Sequence, residues 1–243
     1  MLGGYSFIGG LISLLGWATG AERLIDWGGN GVTIKANAAV GIIVSAVALL
    51  MQTRHEQPAR FLVAVRGLST FVAVLGGLTL LEHLSGWNLG IDTLLFDEAY
   101  GARATFSPGR FGLVASVSFM IVGTALVLLT GGKRARSVAS VLGFGTAAIA
   151  LVSLMGFVFD VNALHAGPRI TAISVQASSM FFALGLGIIA AVRETGIGAV
   201  VTARGPGGMM ARRMLWTALW VPPTLCWAGR MFVIGEVTDA SMA

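Results

Sequence analysis

Four residues have the type and placement to do chemistry at one end of a set of apolar segments: Asn37, Gln176, Glu82 and His83. Asn37 and Gln176 stand where two apolar runs begin, and free backbone N–H groups at a helix start favour polar or negative ligands. Together with Val114 at a third start, they form a candidate ligand cup. The alternative reading makes Asn37 a helix cap and Gln176 a bridge between helices. Glu82 and His83 close another apolar run. A histidine in such a run is a candidate ligand for a haem or chlorophyll metal, since ionisable groups in membrane segments are functional candidates. Haem commonly takes a second protein ligand as well. The other two histidines, His55 and His165, both fall in connections, so an interfacial role for His83 is the alternative.

Other chemistries find few residues. The single Cys226 makes no internal bridge and no thiolate metal site. Gly131-Gly132-Lys133-Arg134 has some features of a phosphate loop, but it follows a helix and has Arg134 where Ser or Thr belongs. Zinc spacing, a nucleophile elbow and clustered membrane carboxylates are all missing from the sequence, so the expectation is a non-catalytic chain without a resident metal or cofactor.

The elements that position these residues follow from composition. Of 243 residues, 56% are hydrophobic and only 11% charged, against about 25% charged in soluble domains; mean hydropathy is +0.84. This excludes a soluble globular enzyme, a disordered tail and a disulfide scaffold. It specifies an all-α polytopic membrane protein, one domain over residues 1–243. The net charge of +5 fits basic cytoplasmic loops rather than nucleic-acid binding. Seven apolar segments approach the roughly 20 residues that a bilayer crossing needs: 2–19, 38–51, 61–84, 112–130, 137–159, 171–192 and 214–234. The first lacks a basic lead-in and a good cleavage site, so it reads as a retained helix rather than a signal peptide.

Charge sets the expected orientation. The connections after the second, fourth and sixth segments, with Arg66 just inside the third, carry ten basic residues and two acids; the opposite face carries six and nine. The positive-inside rule places the basic side, with the N-terminus, in the cytoplasm. Seven crossings then leave the C-terminus in the periplasm of a bacterial inner membrane. Pairs such as Glu82 with Arg110, or Asp160 with Arg169, are expected as exposed contacts worth about 0–1 kcal/mol, while Arg66 and Arg230 are expected to snorkel.

Related stretches open the second, fourth and sixth segments: Ile34-Lys35-Ala36-Asn37-Ala38-Ala39, Phe111-Gly112-Leu113-Val114-Ala115-Ser116 and Ile173-Ser174-Val175-Gln176-Ala177-Ser178. Outer elbows echo too, with Leu15-Gly16-Trp17 set against Ser85-Gly86-Trp87 and a fainter copy at Phe159-Asp160. The reading is a lone helix followed by three hairpins, each with a basic inner turn and an amphipathic outer elbow. Small residues four apart, Gly41/Ser45, Ala73/Gly77, Gly143/Ala147 and Gly187/Ala191, let helices approach closely, either within the bundle or against a partner. Trp216, Trp220 and Trp227, with Pro222-Pro223 kinking their segment, suit a lipid or protein interface. Gly41, Ser45 and these tryptophans are the candidate partner contacts.

With Val32-Thr33-Ile34-Lys35-Ala36-Asn37, Leu89-Gly90-Ile91-Asp92-Thr93-Leu94-Leu95-Phe96, Pro108-Gly109-Arg110-Phe111, Thr171-Ala172-Ile173-Ser174-Val175-Gln176 and Gly207-Gly208-Met209-Met210-Ala211-Arg212-Arg213, the chain resembles a known family. This is the multi-helix sensory input domain at the N-terminus of many bacterial PAS-containing histidine kinases and diguanylate cyclases. That family's helix starts read like Met-x-Pro-Asn-Thr-Ala, with His for Asn in the third. Here Asn37 keeps the polar residue, Val114 and Gln176 replace it, and Ala36, Leu113 and Ala172 stand for the prolines. The resemblance implies a further returning helix and a cytoplasmic signalling module, neither of which precedes Ala243. The leading expectation is therefore an accessory or stabilising subunit of a larger membrane complex, its partners being other transmembrane proteins and lipids. The alternative is a ligand-sensing input protein acting through a separate kinase or cyclase. A small-molecule carrier ranks last, for want of paired broken helices.

Overall fold

The computed structural model describes residues 1–53, 58–98, 107–158, 173–192, 194–214, 217 and 224. Among these residues the regular structure is helical throughout. Six long helices carry the fold: α1 (Leu2–Thr19), α3 (Ala36–Gln52), α4 (Ala59–Ser85), α5 (Leu113–Leu129), α6 (Lys133–Val158) and α7 (Val175–Ala191). Two short ones, α2 (Glu22–Ile25) and α8 (Gly196–Thr202), lie in connections that the hydropathy pattern leaves irregular, and residues 206–214 are helical as well. Expected and observed boundaries agree within a few residues for the first six segments. The segment 214–234, with Trp216, Trp220, Trp227 and Pro222-Pro223, lies almost wholly outside the described residues, as does the Asp160–Arg169 pair.

Helices α3, α5 and α7 pack on one another at the centre, and α1, α4 and α6 sit outside them. Each outer helix fills the groove between two central ones: α1 between α3 and α7, α4 between α3 and α5, and α6 between α5 and α7. All three central helices are 17 residues long and begin from an extended N-cap residue, Lys35, Gly112 and Ser174. Counting from those caps, the third residue is a buried alanine in each: Ala38, Ala115 and Ala177. The seventh is Ile42, Phe119 or Phe181, the tenth Ser45, Val122 or Leu184, and the fourteenth Leu49, Leu126 or Ile188, all buried. Steps of four, three and four are the spacing of a coiled-coil seam. The Phe119 and Phe181 rings meet edge to face at 4.7 Å, and Phe119 meets Phe111 at 5.2 Å.

Length sets α4 and α6 apart, at 27 and 26 residues, while α1 at 18 exceeds the central helices by one. The outer helices α1, α4 and α6 are long and apolar enough to cross a membrane, whereas the central three are shorter apolar helices. Seventeen residues rise about 26 Å at 1.5 Å each, a little under the hydrocarbon thickness of about 30 Å. Surrounded by longer neighbours, the central helices face protein along most of their length. Exposed apolar side chains such as Ile8, Val63, Phe71, Leu81, Phe144 and Val152 lie on the outer helices, where a lipid-facing surface belongs.

Small residues make the outer-to-central joints. A Cβ on Gly123 of α5 would lie 2.3 Å from the Ala73 backbone nitrogen of α4, and one on Gly76 would lie 2.6 Å from the Met120 nitrogen. Gly143 of α6 and Gly185 of α7 form the matching contact, each Cβ position falling 3.0 Å or less from the other's carbonyl oxygen. Gly41 leaves room for the Phe119 ring, and Ser45 donates to the Gly41 carbonyl at 2.7 Å. Gly41 and Ser45 therefore pack inside the bundle and are not open to a partner. On α4 the joint uses Gly76 rather than Gly77, whose Cβ position meets nothing within 4 Å. Gly123→Ala is expected to cost about 1–3 kcal/mol by overpacking a backbone contact. Gly77→Ala should leave the thermal midpoint of the detergent-solubilised protein unchanged or slightly higher. Unfolding scans of the two variants side by side check this.

Candidate functional site

At one end of the bundle α1, α4 and α6 finish and α3, α5 and α7 start. The polar candidates all fall there. Asn37 and Gln176 are each the second residue of their helix, α3 and α7, and Val114 holds the same place in α5. Glu82 and His83 are in the last turn of α4.

Two of the three helix starts, those of α3 and α5, are tied to the end of the preceding outer helix. Trp17 Nε1 donates to the Ile34 carbonyl at 2.8 Å, and His83 Nε2 lies 2.9 Å from the Phe111 carbonyl. Ile34 and Phe111 each stand one residue before an N-cap. Trp17 and His83 each stand three residues before a left-handed glycine, Gly20 (φ 69°) or Gly86 (φ 74°), that terminates the helix. Thr19 and Ser85 bond back to Leu15 and Leu81 in the same way. The structural counterpart of Trp17 is thus His83, and the sequence echo with Trp87 is out by four positions. A carbonyl only accepts, so Nε2 of His83 carries the proton, and that ring nitrogen is engaged by the backbone.

Above α4 and α5 the elbow folds over a buried ion network. Arg110 Nε donates to Asp92 Oδ2 at 2.7 Å, its Nη2 lies 3.3 Å from Glu82 Oε1, and Nη2 also reaches the Trp87 carbonyl at 3.3 Å. Glu82 Oε1 accepts from the Leu89 backbone at 2.7 Å. Lys35 pairs with Glu98, whose other oxygen takes the Gly109 N–H at 2.7 Å. Gly109 (φ 71°) is required here, because a Cβ would fall 2.4 Å from the Asp92 carbonyl. The Glu82–Arg110 pair expected on an exposed surface is in fact interior, with Glu82 0% and Arg110 5% exposed. The elbow covers it and water does not screen it. Arg66, at the other end, bonds Thr130 Oγ1 at 2.9 Å instead of only snorkelling.

Sequence reasoning missed Lys35, Asp92 and Glu98 as site residues and took Arg110 only as a surface charge. A signal was present. Lys35 and Arg110 stand within two residues of helix starts, where the helix dipole disfavours a cation. Such a placement calls for acids close by, and the intervening elbow supplies them. Burial raises the Asp92 carboxyl above its ordinary value, and Arg110 only partly offsets this. Burial likewise lowers the Lys35 ammonium despite Glu98.

Six buried side-chain atoms lack a hydrogen-bond partner among the described residues: Asp26 Oδ1, Asn37 Nδ2, Glu82 Oε2, Asp92 Oδ1, Gln176 Oε1 and Ser178 Oγ. Every one of them is at this end. The amides are not interchangeable end for end. Asn37 Oδ1 accepts the Ala38 N–H at 2.8 Å, and Gln176 Nε2 donates to the Ile25 carbonyl, so flipping either side chain would set like against like. Asn37 therefore presents a spare donor and Gln176 a spare acceptor. Among the described residues, the arrangement offers hydrogen-bond donors and acceptors that the fold itself does not use.

Arg110→Ala leaves two carboxylates buried without their cation and is expected to destabilise the fold by about 3–5 kcal/mol, measurable as a lower unfolding midpoint. The pH dependence has a definite sign. With its folded-state value above 3.8, Asp92 contributes stability that is full below the unfolded value and is lost as pH rises through the folded one. Asp92→Asn should flatten that part of the midpoint-versus-pH curve from pH 4 upward. No protein-family model matches this chain, and no curated protein or solved structure does either.

Proposed function

We propose that this chain is a non-catalytic, multi-pass membrane input module that binds a small polar ligand at the end where the three central helices start, and passes its occupancy to a separate partner. The observation that carries this reading is the gathering of six unpartnered buried polar atoms at that one end. An unmet buried hydrogen-bonding group costs about 1–3 kcal/mol. Several at one place in an otherwise well-packed bundle are better explained by an occupant than by poor packing.

An accessory-subunit role drew support from small-residue ridges available to a partner. Gly41, Ser45, Gly143 and Gly187 spend those ridges on contacts within the chain, which shifts support to ligand sensing. The orientation in this reading is that of a bacterial inner membrane with the polar end outward. Exposed cations at the other end, among them Lys133, Arg134, Arg204 and Arg213, support it through the positive-inside rule.

Native-detergent purification with mass spectrometry of co-migrating chains tests the proposal. A co-migrating histidine kinase or diguanylate cyclase is expected, with turnover that differs between the wild-type chain and Asn37→Ala/Gln176→Ala. Co-migration with a complex containing neither enzyme would return the accessory-subunit reading. A lone monodisperse chain would remove both.

A further inference from the structure

Elbow 1, the chain between α1 and α3, closes on the first turn of α7. The Gln176 amide donates to the Ile25 carbonyl, a Cβ on Gly28 would lie 3.2 Å from Val175, and the Trp27 ring lies 3.3 Å from the Cβ position of Gly9 on α1. Two oxygens under this elbow have no donor among the described residues. Gln176 Oε1 belongs to a side chain that is fully buried, and Asp26 Oδ1 belongs to the residue after Ile25. The other Asp26 oxygen takes the Gly31 N–H at 2.7 Å. Ser178, two residues on and so on a different face of α7, is also fully buried and has a hydroxyl without a partner among the described residues.

The two described elbows differ in how their acids are treated. Glu82 and Asp92 share Arg110, and Glu98 has Lys35. Asp26 has no ion-pair partner among the described residues. An acceptor amide and, one residue after the carbonyl that holds it, a carboxylate with one spare oxygen make up a set that matches a cation with N–H donors. The carboxylate supplies the charge, and the two oxygens take two hydrogens. The positive end of α7 is turned inward on its own cap, Ser174 Oγ accepting the Ala177 N–H, which makes an anion a poorer match for two bare oxygens.

We infer that elbow 1 and the first turn of α7 bind a primary ammonium group through Asp26 Oδ1 and Gln176 Oε1. The inference rests on the input-module reading and names the ligand class for one part of its polar end. The ammonium belongs either to a free amine or to a phosphatidylethanolamine headgroup, which an elbow at headgroup depth would meet.

Thermal unfolding of the full chain in nanodiscs tests this without reference to any signalling partner. In phosphatidylcholine discs, methylammonium chloride at tens of millimolar is expected to raise the midpoint by a few degrees over equal tetramethylammonium chloride, which has the charge but no N–H. Discs containing phosphatidylethanolamine, with no added amine, should show the rise if the headgroup is the source; a response to methylammonium alone assigns the site to a free amine. Asp26→Asn and Gln176→Leu should each abolish the difference between the two salts, while Arg134→Gln, an exposed residue at the opposite end of the bundle, keeps it. Equal midpoints in the two salts, together with no effect of phosphatidylethanolamine, would mean that water alone fills the place and would overturn the inference. So would a salt difference that survives both variants. Failure here with a ligand-responsive kinase or cyclase still in hand would reject the ammonium and leave the input module standing.

Discussion

The bundle depends on one recurring hydrogen bond, from the end of an outer helix to the carbonyl just before a central one. Trp17 makes it to Ile34 and His83 makes it to Phe111. A carbonyl at that position has no partner within its own helix, and near a membrane's apolar layer an unmet one costs several kcal/mol. The bond fixes where the central helix starts relative to the outer helix that feeds it. Once the starts are level, alanines and then larger side chains from three helices fall into the same layers: Ala38 with Ala115 and Ala177, Ile42 with Phe119 and Phe181. Indole and imidazole are different side chains, yet each offers one N–H at a similar reach, which is all the position demands.

That equivalence shows what was legible in the sequence. Hydropathy located six of the long helices to within a few residues, because an apolar run bounded by Gly, Pro or charge leaves little freedom in where a helix lies. The three helix openings were also visible, since Ile34, Phe111 and Ile173 precede them at matching distances. The elbow register was not visible. Trp17 and Trp87 share a side chain but not a place, and only the C-terminal glycines, Gly20 and Gly86, reveal that His83 is the counterpart. The role of small residues was half legible. Spacing showed that backbones would come close, but Gly76 and Gly77 are neighbours with opposite fates, and only the helix rotation tells them apart.

The polar end was the hardest to read. A count of charges gave the sign of each face and treated the acids as solvated. In the fold three of these acids, Glu82, Asp92 and Glu98, turn inward to neutralise Lys35 and Arg110, cations in an electrostatically poor position ahead of helix starts. Burial of one partner forces burial of the other, so the elbow over α5 is held by charge as much as by apolar contact. In the elbow over α7, Asp26 has no ion-pair partner among the described residues. In this respect the two otherwise parallel connections differ.

The backbone contact between α4 and α5 has a mechanical corollary. Where Gly123 meets Ala73 and Gly76 meets Met120, no side chain cushions one helix against the other, and a small slide along the axis would drive main chain into main chain. Packed interfaces of this kind are not continuously deformable. A piston stroke within that pair is therefore disfavoured, and any displacement begun at the elbow reaches the far face by the two helices tilting as one stiff body.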